Sequence, residues 1–141
     1  YHQKQYTQFK KYFPKNNQNS INGSVVREIH KDENGDFWIG TEDAGLNKFN
    51  PKTQVFTSYK PGTGKGSVSY YNIHALIALK DKIWIGTFEH GLDVLDRKSG
   101  KVIKHYSAND EIGIYSVSDG ILTRQSAISG GIGPRFFALA Y

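Results

Sequence analysis

The chain has 141 residues, a formal net charge of +5 and no cysteine, so it is the size of one ordinary domain and cannot be a disulfide scaffold. No apolar run reaches the roughly 18 residues that a membrane-spanning helix needs, and the polar first residues do not resemble a signal peptide. The basic residues are spread along the chain without a nucleic-acid-binding motif, so we expect contact with neither nucleic acid nor membrane.

An internal repeat dominates the chain. The tetrapeptide Trp-Ile-Gly-Thr occurs at residues 38–41 and again at residues 84–87, and a Gly-Leu pair follows each copy at the same distance. Three short segments that begin with Phe or Ile and end in tyrosine are spaced by 47 residues, at Tyr12, Tyr59 and Tyr106. A repeat of this length decides the architecture before any single residue is interpreted.

Four β-type runs can be read in each unit, and turn-forming residues separate them. In the first unit they begin at Val25, at Phe37, at Leu46 and before Tyr59, and Asp32–Asp36 supplies the first turn. In the second unit the runs begin at Ile73, at Ile83, at Leu92 and before Tyr106. Four strands in about 45 residues is the size of one β-propeller blade.

We therefore predict an all-β chain of β-propeller blades, each a four-stranded antiparallel meander. The predicted division is the last strand of a preceding blade with its connector (1–24), a blade (25–59), a connector (60–72), a blade (73–106) and a partial or divergent third blade (107–141). A propeller needs about 4–8 blades to close. About three blades form an incomplete ring, so we expect further blades of the same protein, or identical chains, to complete it.

The order of these landmarks resembles the two-component-regulator propeller repeat. The shared pattern is a strand, an Asp-x-x-Gly turn at Asp32, Trp-Ile-Gly-Thr, Gly-Leu, an Asn-Pro turn at Asn50 and a strand ending in tyrosine. The second copy departs from it, with Arg97 in place of Pro51 and a shorter first turn. The resemblance covers about residues 1 to 106.

The resemblance implies a function and a location. Such repeats build the periplasmic sensor region of hybrid two-component histidine kinases, which recognises breakdown products of complex polysaccharides. By this resemblance the chain is a non-enzymatic, periplasmic sensing module whose parent protein carries the kinase. An oligosaccharide or another polar small molecule is then the expected ligand, with no cofactor.

Two other functions stay open. Similar repeats occur in propeller lyases that use a metal and a histidine near the central channel, and here only His74 is suitably placed on a first strand. A scaffold that binds proteins across an open blade edge is the other alternative. The five histidines show no metal-ligand spacing, and Asp32–Asp36 reads as a hairpin turn, so we predict no metal site.

One face of the predicted blades is the better candidate for binding. In an up-and-down blade, the loop between the second and third strands lies on the same side as the connector to the next blade. Between the two units this loop changes from Glu42-Asp43-Ala44 to Phe88-Glu89-His90, while the flanking Thr and Gly-Leu stay the same. Variation inside a fixed frame is typical of recognition loops. The predicted ligand-binding residues are Phe88, Glu89, His90, Tyr70, Tyr71, Glu42 and Asp43.

The aromatic residues of the repeat itself have a different expected role. Trp38 and Trp84 recur at one position of a strand, between apolar neighbours. A residue that recurs in this way normally packs the core between blades. We therefore assign both tryptophans to packing and not to ligand binding.

Overall fold

The computed structural model of the protein describes residues 9–107, 114–118 and 121–125. All regular structure in these residues is β-strand, and none of it is helical. No helix long and apolar enough to cross a membrane occurs among them.

The first sheet is a four-stranded antiparallel meander. Its strands are β1 (Val26–Lys31), β2 (Phe37–Thr41), β3 (Leu46–Asn50) and β4 (Val55–Tyr59), and they lie side by side in sequence order. β2 pairs with both β1 and β3, and Ile39 lies opposite Ile29 on one side and Asn47 on the other. The Trp-Ile-Gly-Thr segment is therefore an inner strand of the sheet, which explains its continuous apolar character.

The second sheet repeats the first. Its strands are β5 (Ile73–Leu79), β6 (Lys82–Thr87), β7 (Leu92–Asp96) and β8 (Lys101–Tyr106), again in sequence order and antiparallel. The register shift between the first two strands falls at the same place in both sheets. The prediction of four-stranded antiparallel blades is confirmed.

A two-stranded hairpin follows, formed by β9 (Ile114–Ser118) and β10 (Ile121–Gln125). Two blades and a hairpin do not close a ring within the described residues. The predicted third blade, 107–141, lies for the most part outside them. The division of the chain into these units remains a prediction.

The two blades pack face to face around a single apolar core. Trp38 is completely buried there, and Ile73, Ile83, Ile85 and Leu95 of the second blade are also fully buried. Because side chains alternate along a strand, Trp84 points to the opposite face of the second blade, away from Ile83 and Ile85. Trp84 is only half-buried. The packing role expected for the repeated tryptophan is therefore realised by Trp38.

Gly40 lets the blades approach closely. A Cβ atom at this position would lie 2.6 Å from Cγ2 of Ile73, well inside van der Waals contact. Nearby, the backbone amide of Ala78 in β5 donates to Nδ1 of His30 in β1, at 3.2 Å. The glycine of Trp-Ile-Gly-Thr is thus the point at which β2 of the first blade meets β5 of the second.

The closing tyrosines Tyr12 and Tyr59 each pack against the blade that follows. Tyr59 stacks on Trp38, and its ring lies about 3.0 Å from the place a Cβ on Gly100 would take, in the β7–β8 turn. Burial, and then the charge of Asp36, raise the pKa of Tyr59. Tyr12, one period earlier, donates to Gln54 in the corresponding β3–β4 turn, at 3.0 Å. Residues 9–15 form no regular strand, yet Tyr12 contacts the first blade as Tyr59 contacts the second.

Asp32 connects the first turn to the core and to the second blade. Its carboxylate accepts hydrogen bonds from the backbone amides of Asn34 and Asp36, at 2.8 and 3.0 Å, and from Nε1 of Trp38, at 2.8 Å. The guanidinium of Arg97 lies 3.7 Å from the same carboxylate, across the blade interface. The Arg97 that departs from the repeat pattern therefore pairs with the acidic turn of the preceding blade.

Asp32 makes stability sensitive to acid. Burial alone would raise the pKa of this carboxyl, but the bonds from Trp38, Asp36 and Asn34 and the charge of Arg97 lower it below the ordinary 3.8. A group with a lowered folded-state pKa stabilises fully above its unfolded value, and this contribution is lost as the pH falls through the folded value. We expect Asp32→Asn to be less stable than wild type at neutral pH and to lose less stability on acidification.

Urea denaturation at neutral and acid pH, followed by tryptophan fluorescence, measures both effects. Glu33→Gln is the matched control, because Glu33 is exposed in the same turn. Equal acid-induced losses of stability in wild type and Asp32→Asn would contradict the assignment.

Gly40 provides a second test of the interface. We expect Gly40→Ala to destabilise the protein by about 1–3 kcal/mol, because the added methyl overpacks the contact with Ile73. Gly64→Ala is the control, since its nearest neighbour would lie at an ordinary 3.6 Å. Thermal unfolding of both variants measures the difference in stability. Equal melting temperatures would show that the interface accommodates a methyl group at position 40.

Candidate functional site

The loop between the second and third strands of each blade has the same hydrogen-bonded frame. In the first blade the hydroxyl of Thr41 donates to the carbonyl of Gly45, at 2.8 Å, and the backbone amide of Thr41 donates to the same oxygen, at 3.0 Å. Thr87 and Gly91 repeat these two bonds in the second blade, at 2.7 and 3.0 Å. The Thr and Gly of the repeat thus hold a loop of three residues.

The glycine of this frame cannot be replaced easily. Gly45 and Gly91 have φ angles of 84° and 86°, in the region that favours glycine. A Cβ on Gly91 would lie 2.2 Å from the carbonyl oxygen of Tyr106, and one on Gly45 would lie 2.7 Å from that of Tyr59. The frame therefore keeps its glycine in both blades, while the three residues inside the loop differ.

The first-blade loop is satisfied by its own blade. Glu42 forms an ion pair with Arg27 of β1, at 3.2 Å. The carboxylate of Asp43 accepts hydrogen bonds from the backbone amide of Ser24, at 2.9 and 3.1 Å, in the segment that leads into β1. The carboxylates of Glu42 and Asp43, two of the seven predicted ligand-binding residues, are thus paired within the first blade.

The second-blade loop carries rings instead of charges. The ring of His90 stacks on that of Tyr70, with centroids 3.7 Å apart and planes 10° apart. Tyr71 contacts Tyr70 edge to face at 5.9 Å, and it is 52% exposed. Phe88 stacks on His74 of β5, with centroids 5.1 Å apart. The structure therefore brings Phe88, His90, Tyr70 and Tyr71 together at one end of the second blade. We call these four residues and Glu89 the aromatic rim.

The two loops differ position by position on one scaffold. The strand registers place Val26 opposite Thr41 and Ile73 opposite Thr87, so Arg27 corresponds to His74. The Arg27–Glu42 ion pair of the first blade therefore becomes the His74–Phe88 stack of the second. By the same correspondence Gly23 and Ser24 become Tyr70 and Tyr71, and Ala44 becomes His90.

The two predicted loops lie on the same side of the sheets, as expected. The amide of Gly45 donates to the carbonyl of Tyr71 at 2.9 Å, so the first-blade loop touches the connector that carries the second-blade tyrosines. The amide of Phe88 donates to the carbonyl of Asn72, also at 2.9 Å. The connector 60–72 therefore lies between the two loops.

Asp93 lies beneath the aromatic rim and is completely buried. It accepts hydrogen bonds from the backbone amide and the hydroxyl of Ser69, at 2.7 and 2.8 Å, and its other oxygen lies 2.6 Å from Nδ1 of His105. Ser69 directly precedes Tyr70, and Cε1 of His105 lies 3.2 Å from the place a Cβ on Gly91 would take. Asp93 thus binds the residue before Tyr70 on one side of the rim and His105, near Gly91, on the other.

The first blade contains an uncharged version of this cluster. Asn47, also completely buried, accepts hydrogen bonds from the amide of Asn22, at 2.9 Å, and from the hydroxyl of Ser58, at 3.2 Å. The second blade replaces this amide with a carboxylate and the serine with a histidine. Ser69, Asp93 and His105 were not predicted from the sequence. The signal was the change from Asn47 to Asp93 in the aligned repeats.

Position 93 should tolerate asparagine, the residue at the corresponding position of the first blade, better than alanine. Asp93→Ala leaves the amide and hydroxyl of the partly buried Ser69 without their acceptor, and we expect a loss of about 3 kcal/mol. Asp93→Asn copies Asn47, keeps an acceptor for Ser69 and should lose about 1 kcal/mol. Urea denaturation measures both values, and equal losses would show that the hydrogen bonds to Ser69 contribute nothing.

A metal centre cannot be assembled from the side chains described. Among residues 9–107 no three His, Asp or Glu side chains lie close enough together to hold an ion. The chemistry that the rim does offer is stacking and hydrogen bonding.

Comparison with known proteins adds the family. Residues 20–43 match the family model of the two component regulator propeller, over the connector, β1, β2 and the first loop. Over these residues the chain is similar to the two component regulator propeller repeat. This confirms the resemblance read from the Trp-Ile-Gly-Thr pattern.

The fold is shared with a solved structure, and a second one is similar at a lower score. One is the extracellular domain of BT3049 from B. thetaiotaomicron, described as a putative hybrid two component system, with 24% identity and a TM-score of 0.59. The match covers 68% of this chain but 14% of that domain. The extracellular domain of BT4673 from the same organism, described as a putative one component system, matches with 27% identity over 60% of this chain and 10% of that one, with a TM-score of 0.48. No curated protein matches the sequence.

Proposed function

We propose that this chain is part of the ligand-sensing, extracytoplasmic propeller of a two-component signalling protein, and that it acts by binding and not by catalysis. The propeller repeat in residues 20–43 supports the class of protein, and the fold shared with an extracellular domain supports the location, in the periplasm. The match covers 14% of that domain. In this proposal the kinase lies in other parts of the parent protein.

The ligand is an oligosaccharide or another polar small molecule, bound at the aromatic rim. The observation that carries this proposal is the contrast between two loops with one frame. The first loop is neutralised by Arg27, whereas the second presents aromatic rings, including a half-exposed Tyr71. Aromatic faces with adjacent hydrogen-bonding groups are typical of sites that bind the apolar faces and hydroxyls of such ligands.

Signalling requires the ligand to distinguish two arrangements of the protein. A ligand shifts an equilibrium only by the difference in its affinity for the two states. The connector that carries Tyr70 and Tyr71 also bonds to the first-blade loop through Gly45 and to the second-blade loop through Phe88. A ligand on the rim therefore acts on the junction of two blades, where a change in packing can be transmitted.

Other blades are the expected protein partners. Trp84 lies half-buried on the far face of the second blade, and Phe9 and Phe13 are 74% and 62% exposed ahead of the first. We propose that further blades of the parent protein, or identical chains, cover both faces.

Calorimetry with a panel of neutral oligosaccharides on the full extracytoplasmic region tests the proposed function. We expect at least one to bind, and Tyr71→Ala to weaken that binding about tenfold through loss of a stacking surface worth roughly 1 kcal/mol or more. Val55→Ala, at a similarly exposed position on β4, is the control and should bind as wild type does. Binding that is unchanged in Tyr71→Ala, or absent for the whole panel, would contradict the assignment of the rim.

A further inference from the structure

The acidic residues of the two loops differ in whether their carboxylates have bonding partners within the described residues. In the first loop Glu42 pairs with Arg27, and Asp43 accepts hydrogen bonds from the amides at the start of β1. Glu89 is the second residue of its loop and corresponds to Asp43. It is exposed, and within residues 9–107 its carboxylate takes part in no hydrogen bond or ion pair.

The backbone explains why Glu89 lacks the role of Asp43. Glu89 adopts a φ of 60°, in the left-handed region that a side chain other than glycine rarely occupies, whereas Asp43 does not. The connector residues that approach Asp43 correspond to Tyr70 and Tyr71 in the second blade, where rings occupy the rim. Such strained residues persist when the surrounding structure over-determines them, and they cluster at functional sites.

Aromatic side chains flank Glu89 in its loop. Its two neighbours in the loop, Phe88 and His90, are each held in a stack, on His74 and Tyr70. Arg27, which pairs with Glu42 in the first blade, is replaced by His74 in the second, and the ring of His74 stacks on Phe88. Within residues 9–107 no cationic side chain pairs with this carboxylate, and a carboxylate flanked by aromatic residues is complementary to a positive charge on a ligand.

We propose that the aromatic rim selects a ligand bearing a cationic nitrogen, such as an amino sugar unit with a charged amine. The proposal rests on the binding site proposed above and adds the charge of its ligand. The cation contacts the carboxylate of Glu89 and the exposed aromatic faces, while the rest of the ligand lies against Tyr71. A neutral ligand of the same shape leaves Glu89 without a partner.

Matched oligosaccharides test this selection. The probes are a β-linked glucosamine oligomer with N-trimethyl groups, whose positive charge does not depend on pH, and the same oligomer with neutral N-acetyl groups. We expect the charged oligomer to bind the full extracytoplasmic region about tenfold more tightly, as a cation–π contact and an exposed ion pair together allow. Choline, as a third probe, shows whether the cation binds without the sugar.

Two variants assign the effect to one residue. Glu89→Gln keeps the size of the side chain and should remove most of the preference for the charged oligomer, with little change for the neutral one. Glu33→Gln removes the same charge from the β1–β2 turn and should keep the wild-type preference. Since Glu89 is exposed, neither variant should alter the melting temperature.

The outcomes separate this proposal from the proposed function. Equal affinity for the charged and neutral oligomers, or a preference that survives in Glu89→Gln, overturns the cationic ligand and leaves the oligosaccharide site intact. Choline binding with the same affinity as the charged oligomer assigns recognition to the cation alone and argues against a sugar ligand. Failure of every probe and every neutral oligosaccharide to bind overturns both.

Discussion

Contact between the faces of successive blades is the constraint on which the rest of the structure depends. The inner strand of each sheet is apolar on both sides, so neither face can be left to water at no cost in free energy. Trp38 fills the space between the two blades, and Gly40 allows the strands to come close enough for Ile73 to close it. Every other feature of the repeat, including its loops, is attached to strands whose position this contact sets.

The repeat separates what must stay the same from what is allowed to differ. Thr87 and Gly91 form backbone-directed hydrogen bonds, and these bonds do not depend on the side chains inside the loop. The loop can therefore exchange an ion pair for a stack of rings without a change in strand register. The same applies beneath the loop, where Asn47 and Asp93 hold corresponding segments with different charges. Two blades of one fold can thus present surfaces of different chemistry.

The fold was predictable from the sequence because the two repeats can be aligned with each other, and each repeat confirms the strand and turn positions of the other. Turn residues and the Trp-Ile-Gly-Thr spacing located all eight strands of the two blades to within a few residues. The grouping of the loop residues with Tyr70 and Tyr71 also followed from strand order. Side-chain partners did not, because they depend on distances across the sheet. Asp43 bonds to an amide 19 residues away, and Asp93 to a serine 24 residues away.

Tyr12 and Tyr59, which end their units in sequence, also contact the unit that follows. Tyr12 packs on Phe49 and Phe56 of the first blade, and Tyr59 lies against Gly100 of the second. The sequence repeat is therefore offset from the packed blade. A duplication or deletion that spans one full period keeps each such tyrosine next to a following blade, wherever in the repeat it cuts. Such events can give propellers with different numbers of blades. Truncation of the chain at the end of a sheet would instead leave its closing tyrosine without the following blade.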